Sequence, residues 1–332
     1  MQYQTEQSQP SGAQTLLHVK PSRTVPGLVE DTRNGLLTTP RALPPKYFYD
    51  DAGAKLFEQI CQTAEYYPTR TEDQLLAKHS DEIITHSLPD KIIEFGSGSS
   101  TKTRRLLDAC ETRTHECDYA PFDVCEPALS EAASNLEALY EWLNIMPMVG
   151  DYHAGLDNLP DFDGSRLFLF LGGSIGNFLR PEAQQFLLEV YNCMKAGDHF
   201  LLGADRIKDT EILHSAYNDA QGITAQFNLN VLRVLNRELG ADFDLDNFTH
   251  KALFNDEHNR IEMYLISVID QTITLPELAE TIKLRQGEKI LTELSHKFNY
   301  AELETMLAES GFSVVQHFQP RNEFYSLVLV RK

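Results

Sequence analysis

From residue 91 onward the chain alternates between short apolar runs and longer amphipathic segments, and this alternation restricts the possible folds more than any other feature. The apolar runs are strand candidates at 91–95, 120–124, 145–149, 166–172 and 198–203. Helix candidates lie between them at 101–110, 127–143 and 181–195. Strands that alternate with helices indicate a parallel sheet with right-handed crossovers. We therefore predict an α/β fold for this part of the chain.

The alternation stops after residue 208. Residues 209–236 have a largely helical pattern with Asp209 as a candidate N-cap, and residues 243–290 have the pattern of antiparallel strands and loops. This change of pattern predicts an insertion of α+β character.

The end of the chain returns to the first pattern, with a helix at 300–310 and strands at 312–318 and 323–332. Together with the five earlier strands these make a seven-stranded, mostly parallel sheet. The last strand enters by a hairpin, so it must run antiparallel to its neighbour. This is the layout of a Rossmann-like class I methyltransferase domain.

These patterns predict three parts of the chain. Residues 1–22 are polar and are expected to form a flexible tail. Residues 76–208 and 299–332 form the Rossmann-like domain. Residues 23–75 and 209–298 remain, and we assign them to a substrate-binding domain above the carboxyl ends of the strands, where ligands bind in open α/β sheets.

The charge of the chain limits its partners. It has 29 Lys and Arg against 49 Asp and Glu, a formal net charge of −20. Such a surface repels nucleic acid and anionic membranes, so a small molecule is the expected ligand.

The N-terminus lacks the apolar core of a signal peptide, and the five cysteines include no CxxC pair. We expect a cytoplasmic monomer with free thiols.

The stretch IIEFGSGSSTKTRRLLDA, residues 92–109, joins the first of these strands to a helix through Gly96 and Gly98. A dinucleotide site would have a third glycine at position 101, where this chain has Thr, so an NAD oxidoreductase is disfavoured. The spacing alone is a weak signal, and a simple tight turn is the alternative.

The next two strands add to that signal, because each ends in an acid. Asp123 follows the glycines at the distance where an acid binds the hydroxyls of a ribose. Asp151 is suited to accept a hydrogen bond from an exocyclic amine, and Tyr152 to stack on a purine. Lys102 either pairs with a ligand carboxylate or is a solvated lysine. The set matches S-adenosylmethionine, since nothing in it demands a phosphate.

Several stretches together resemble the histidine Nα-methyltransferases of ergothioneine biosynthesis. The matching stretches cover most of the chain from residue 43 onward and include LPPKYFYDDAGAKLFEQI, EYYPTRTE, EFGSGSSTKTRRLLDA, LFLGGSIGNF, AYNDAQGITAQF, RIEMYL and LTELSHKF. The resemblance implies that S-adenosylmethionine methylates the α-amine of free L-histidine three times, without a metal, to give the betaine hercynine.

The resemblance also implies the residues of the cofactor site. They are Gly96, Lys102, Asp123 and Asp151, with Tyr152 at a position where relatives often have Phe. Tyr49 is expected near both the cofactor and the reacting amine.

For the substrate, the resemblance implies that Gly172 lines the cofactor and the amine. It implies that Asn177 and Tyr217 bind the carboxylate. It places the imidazole ring against the residues Tyr66, Met263, Glu293 and Ser295.

The expected chemistry agrees with these residue types. A sulfonium methyl group is already activated, so the protein has mainly to position an unprotonated amine, and no metal or covalent nucleophile is needed. Glu293 and Ser295 are two apart, so on a strand they face the same side, where a carboxylate and a hydroxyl can serve the two ring nitrogens. No histidine base is evident, and we hypothesise that the amine arrives deprotonated while Tyr49 orients a water.

Other interpretations remain open on the residues alone. Glu293 could lie on the surface in a salt bridge, and Asn177 could be a turn residue. Tyr49, Tyr66 and Tyr217 could simply pack in the core. A methyltransferase for another amino acid or amine would keep the same fold. A nucleic-acid methyltransferase usually has N/D-P-P-Y where this chain has GGSIGNF, and a non-catalytic regulator would lose the substrate residues.

Overall fold

The computed structural model describes residues 16–112 and 117–332. Its strands are Leu17–His18 (β1), Arg41–Ala42 (β2), Lys91–Phe95 (β3), Asp118–Asp123 (β4), Met148–Val149 (β5), Arg166–Phe170 (β6), His199–Asp205 (β7), Phe248–Asn255 (β8), Arg260–Ser267 (β9), Gln271–Leu275 (β10), Glu280–Leu284 (β11), Lys289–His296 (β12), Ser313–Phe318 (β13) and Tyr325–Arg331 (β14). Its helices are Leu28–Leu36 (α1), Asp51–Gln62 (α2), Tyr67–Ser87 (α3), Arg104–Thr112 (α4), Glu126–Leu139 (α5), Arg180–Cys193 (α6), Thr210–Tyr217 (α7), Ile223–Leu239 (α8) and Tyr300–Glu309 (α9).

The main sheet has the order β1-β5-β4-β3-β6-β7-β14-β13. Every neighbouring pair is parallel except the two pairs made by β14, which runs antiparallel to β7 and to β13. The predicted Rossmann-like layout is confirmed, including the antiparallel last strand. The sheet has eight strands rather than seven, because β1 pairs with β5 at one edge.

The central strands of this sheet are apolar along their whole length because both faces are covered. In β6 the side chains alternate: Leu167 and Leu169 pack in one cluster with residues of α3 and α4, whereas Phe168 and Phe170 pack in another with residues of α6 and α9. The result is a three-layer arrangement that leaves the carboxyl ends of the strands free to hold ligands.

A second, four-stranded sheet has the order β2-β12-β9-β8, and β10 and β11 form a separate hairpin. Helices α2, α7 and α8 pack with this sheet around one apolar core. All the buried members of that core fall between residues 36 and 67 or between residues 213 and 290. Helices α1 to α3 were not predicted from the sequence pattern.

The helix predicted over 209–236 is two helices. Asp209 caps α7 as predicted, with its side chain accepting from Glu211 N at 2.8 Å. The break after Tyr217 has a local cause: the Asp219 carboxylate accepts from the backbone N–H groups of Ile223 and Thr224 at 2.9 and 2.8 Å and so caps a new helix.

Residues 1–15 of the predicted tail lie outside the described residues. For residues 16–22 the structure differs from the expected flexible tail, since β1 forms a strand and Ser22 N donates to Ala154 O at 2.8 Å. An added strand satisfies backbone groups that β5 would otherwise leave open at the sheet edge. The predicted domain boundary at residues 75 and 76 falls inside α3, which is one continuous helix. None of the helices in the described part of the chain is both long and apolar enough to cross a membrane.

Candidate active site

One cavity between the two sheets brings together the eight residues that the sequence predicted around the substrate. They are Tyr49, Tyr66, Gly172, Asn177, Tyr217, Met263, Glu293 and Ser295. Phe57, Phe227, Thr224 and Lys297 also line it. The cavity lies at the carboxyl ends of β6 and β7, since Gly172 follows β6 and Asp205 ends β7.

Residues at the ends of short elements form one side of the cavity. Tyr49 follows the single turn Pro45–Phe48, and Tyr66 is the N-cap residue of α3. Asn177 ends the turn Ser174–Asn177 and Tyr217 ends α7. Side chains at element ends can point into a cleft while the elements themselves pack in the core, which explains how residues so distant in sequence meet here.

The two antiparallel strands β12 and β9 form the other side. Glu293 on β12 is paired with Met263 on β9, and Ser295 lies two residues further along β12. The predicted alternation is seen at Thr292, which turns away from the cavity and donates from its hydroxyl to Asn228 Oδ1 at 2.7 Å. Glu293 and Ser295 therefore face the same cavity.

Glu293 is shielded from solvent, with only 8% of its surface exposed. Burial raises the pKa of Glu293 to about 7, and the positive charge of Lys297 opposes that rise. A carboxyl group of this kind is poised to accept a hydrogen bond from a ligand N–H. The alternative of a surface salt bridge does not apply, because Glu293 is buried.

Tyr49 and Tyr66 belong to an aromatic group around the cavity. The Tyr49 ring meets Phe57 and Phe227 edge-on, with centroids 5.7 and 5.5 Å away, and Tyr66 meets Tyr217 at 6.0 Å. Burial holds the pKa of Tyr49 and of Tyr66 well above the ordinary tyrosine value. Both phenols are therefore protonated at neutral pH.

A buried charge cluster behind the cavity was missed in the sequence. Asp205 accepts from Lys208 at 2.5 Å, from Lys297 at 2.7 Å and from the Tyr67 hydroxyl at 2.7 Å. Burial alone would lower the pKa of Lys297, but the charge of Asp205 outweighs it and the pKa is raised. The sequence feature that could have revealed this cluster is Lys297, because it is a lysine within LTELSHKF, a stretch otherwise suited to a buried strand.

The glycine loop after β3 has the shape of a ligand cradle. Gly96 and Gly98 have φ of 67° and 50°, a conformation that favours glycine. Asp123 closes the loop, with one carboxylate oxygen accepting from Gly98 N at 2.9 Å and the other from Cys125 N at 3.0 Å. The hydroxyl of Ser97 is buried and has no hydrogen-bond partner among the described residues. A buried polar atom left open here fits a site completed by a polar ligand such as S-adenosylmethionine.

Asp151 and Tyr152 stand beside this loop. The Asp151 carboxylate accepts from His153 N at 2.8 Å and lies 2.9 Å from His153 Nδ1. Burial alone would raise the pKa of Asp151, but its contacts with His153 outweigh that and the pKa is lowered. A Cβ added to Gly96 would lie 3.5 Å from the Tyr152 ring, so the ring and the glycine loop face each other closely.

Lys102 is neither free nor simply solvated, because it forms an ion pair with the fully buried Glu72 of α3. Glu72 also accepts from Gly172 N at 2.9 Å and from the Tyr325 hydroxyl at 2.7 Å. Glu72 thus connects the turn between the glycine loop and α4, the strand end at Gly172, and β14. No role was predicted for Glu72, although it lies within EYYPTRTE.

Within residues 16–112 and 117–332, no group of three or more His, Cys, Asp or Glu side chains is placed to hold a metal ion. Metal ligands need such convergence, whereas the polar groups of the two adjoining sites above are suited to an organic ligand.

The sheet order, the glycine loop with its acids, and the cavity at the carboxyl ends of β6 and β7 are the arrangement of an S-adenosylmethionine-dependent methyltransferase. The family model described as histidine-specific, SAM-dependent methyltransferase matches residues 28–332, and the chain belongs to this family.

Three relatives show how far the similarity extends. The chain is 44% identical to a histidine N-alpha-methyltransferase of Mycolicibacterium smegmatis over 86% of this chain and 88% of that protein. It is 41% identical to a histidine N-alpha-methyltransferase of Mycobacterium tuberculosis over 92% of this chain and 95% of that protein. It is 31% identical to ergothioneine biosynthesis protein 1 of Neurospora crassa over 88% of this chain but only 33% of that protein.

Proposed function

We propose that this protein transfers methyl groups from S-adenosylmethionine to the α-amine of L-histidine, three times in succession, to form hercynine in ergothioneine biosynthesis. The observation that carries the proposal is the pair Glu293 and Ser295, which presents a carboxylate and a hydroxyl side by side in a buried cavity. Such a pair matches the two nitrogens of an imidazole ring. The names of the relatives support the same substrate.

The polar pair also explains selection against other amino acids. An apolar side chain in this cavity would leave the Glu293 carboxyl group and the hydroxyl hydrogen of Ser295 without partners, and unpaired buried polar groups cost much of the binding energy. Met263, which is paired with Glu293 across the strands, supplies an apolar surface for the flat face of the ring. We propose that Asn177 binds the substrate carboxylate. Tyr217, expected to share that role, donates its hydroxyl hydrogen to Ser295 and would have to release it to reach the carboxylate.

For the cofactor we propose the glycine loop with Asp123 for the ribose and Asp151 with Tyr152 for the adenine. We propose Lys102 for the methionine carboxylate, since its ammonium has hydrogens beyond the one given to Glu72. When bound, S-adenosylmethionine supplies a methyl group on a positively charged sulfur. The protein's part is to hold the amine in line and to keep water out of the cavity.

The amine must lose a proton before it can react, and a residue of the cavity would have to accept it if water does not. Tyr49 is unsuited to that task as a phenolate because burial keeps its pKa high. We propose that the amine enters deprotonated and that the Tyr49 hydroxyl orients a water beside it.

We further propose that residues 23–75 and 209–298 act as a substrate domain on a cofactor domain formed by 76–208 and 299–332. The separate apolar core of the first set supports this division. We also propose a monomer in the cytoplasm. Size-exclusion chromatography with light scattering tests the monomer, and a dimer would contradict it.

The function is tested by incubating the purified protein with S-adenosylmethionine and an equimolar mixture of the twenty amino acids, followed by mass spectrometry of all products. We expect histidine alone to gain one, two and then three methyl groups. Methylation of a different amino acid would reassign the substrate. Cofactor binding without any methylated product would favour a non-catalytic regulator.

A further inference from the structure

The ammonium group of Lys297 is the least expected group in the cavity wall. Its side chain is 1% exposed, and its three hydrogens have three acceptors. They are Asp205 Oδ2 at 2.7 Å, the Tyr217 hydroxyl at 2.9 Å and Ser295 Oγ at 2.9 Å. An ammonium group has three donors and no acceptor, so all its hydrogen-bonding capacity is used inside the protein.

This arrangement determines what Ser295 can offer to a ligand. A hydroxyl oxygen has two acceptor positions and one hydrogen. Lys297 fills one acceptor position of Ser295, and the Tyr217 hydroxyl, at 2.9 Å, donates to the other. Only the hydrogen of Ser295 remains, so toward a ligand in the cavity this hydroxyl is a donor.

We propose that Lys297 is a positioning residue that makes Ser295 a hydrogen-bond donor, and that the cavity for this reason binds the imidazole of histidine in its neutral form. One ring nitrogen then donates its hydrogen to Glu293, and the other, without a hydrogen, accepts from Ser295. An imidazolium ring, with two N–H groups, would present a donor to a donor. This inference rests on the proposed function, since it concerns the state of the same substrate.

The surroundings hold Lys297 in place. Its charge is balanced by Asp205. Backbone hydrogen bonds also join the end of β7 to the residues that follow β12: Phe298 N donates to Asp205 O, and Ile207 N donates to Phe298 O, both at 3.0 Å. Lys208 is the second ammonium on Asp205, but it donates to Tyr67 rather than to Ser295. Lys208 therefore also pairs with Asp205, but unlike Lys297 it does not contact Ser295.

The titratable groups that face the ring position are few. They are Tyr49, Tyr66, Tyr217, Glu293 and Lys297, with Asp205 behind Lys297. Burial keeps the pKa of each of these tyrosines above its ordinary value, so Glu293 is the group among them that titrates near neutrality. Below that pH Glu293 carries a proton and accepts from the ring through its carbonyl oxygen. The label is therefore placed on the ligand, so that the protonation of the ring is observed separately from that of Glu293.

The test observes ring-¹⁵N-labelled L-histidine by NMR when bound to the full chain saturated with S-adenosylhomocysteine, which permits binding without turnover. We expect the bound ring to stay neutral, with one nitrogen protonated, at a pH about one unit below the ordinary imidazole pKa of about 6.5. A bound ring that carries two hydrogens at that pH overturns the inference and leaves the proposed function intact. Absence of any bound histidine overturns both.

Two variants separate positioning from a structural role. In Lys297→Met the ring pKa should move back toward that of free histidine and the Kd for histidine should rise about tenfold or more. In Lys208→Met, which removes the other ammonium from Asp205 but no contact to Ser295, the Kd should change less than about threefold and the ring should stay neutral.

A double-mutant cycle completes the design. If Lys297 acts through Ser295, the loss caused by Lys297→Met should shrink in a Ser295→Ala background. Full additivity of the two losses would contradict that route. Should Lys297→Met fail to fold, the spectrum of histidine on the unchanged protein still decides the protonation state.

Discussion

At the scale of single residues, Glu293 has the most consequential environment. It is buried, its pKa is raised to about 7 by that burial, and it faces the cavity in which we place the imidazole. An acid whose pKa is higher in the folded than in the unfolded state stabilises the fold at low pH. That contribution is lost as the pH rises through the folded value.

The first prediction concerns the resulting dependence of stability on pH. Between pH 5 and pH 8, Glu293 should reduce the free energy of unfolding by about 2–3 kcal/mol, given a pKa of 4.5 unfolded and about 7 folded. Glu293→Gln should lack this loss. The free energy of unfolding of the variant, minus that of the unchanged protein, should therefore be more favourable at pH 8 than at pH 5. Urea unfolding at both pH values measures it. The exposed Glu309→Gln is the control, and equal pH dependence of the Glu293 variant and the unchanged protein would contradict the prediction.

The second prediction concerns Tyr49. We propose that the Tyr49 phenol, which is protonated, only orients a water. The rate of methyl transfer should then rise through the pKa of the substrate amine both in the unchanged protein and in Tyr49→Phe. The pH profile of single-turnover rates with saturating substrates measures this. A large fall in the rate of Tyr49→Phe at every pH would instead give Tyr49 a direct part in proton transfer.

At the scale of elements, the short strand β1 connects the N-terminal segment to the proposed adenine site. Leu17 pairs with Met148 of β5, and Ser22 and Arg23 donate to the carbonyls of Ala154 and His153. These contacts fix the turn that carries Asp151 and Tyr152. The segment thus contacts the part of the molecule at which we propose that the adenine binds.

The third prediction is that deleting residues 1–22 raises the KM for S-adenosylmethionine at least about threefold, from the hydrogen bonds lost, while the KM for histidine changes little. Steady-state kinetics measure both. Deleting residues 1–15, which leaves every contact described for β1 in place, is the matched control. An equal rise in both KM values would show a general loss of folding instead.

The elements also show what the sequence can predict. Seven of the eight strands of the main sheet were predicted, because each coincides with a short apolar run between turn residues. The two-residue strand β1, which is held by its pairing with β5, was expected to be part of the tail. Helices α1 to α3 were not predicted. The buried residues of α3 do recur at helical spacing, but some of them, such as Glu72 and Ser80, are polar and interrupt the apolar face that the sequence shows. In the site, motif residues such as Asn177 and Ser295 were predictable. Glu72 was not, because its partner Tyr325 is 253 positions away.

At the scale of the whole molecule, the cofactor side and the substrate side meet at two buried charged clusters, one around Glu72 and one around Asp205. The first depends on a close approach: a Cβ at Gly203 of β7 would lie 2.1 Å from Glu72 Oε1 and 2.7 Å from the Tyr325 hydroxyl. Glycine at this position makes room for the carboxylate that holds Lys102 and Gly172 N.

The fourth prediction is therefore that Gly203→Ala lowers the free energy of unfolding by about 2–3 kcal/mol, because the added methyl group displaces Glu72. Urea denaturation measures it. Gly27→Ala, where a Cβ would meet nothing within 4 Å, should change it by less than about 1 kcal/mol. Equal effects of the two substitutions would show that Glu72 moves aside at little cost.

We propose above all that the cavity between the sheets binds histidine with its ring at Glu293 and Ser295 and its amine toward the cofactor. A crystal structure of the protein with L-histidine and S-adenosylhomocysteine measures this directly. We predict one ring nitrogen within about 3 Å of the Glu293 carboxylate and the other within about 3 Å of Ser295 Oγ, with the amine on the Gly172 side. A ring turned toward the glycine loop, or histidine bound outside this cavity, would contradict the account.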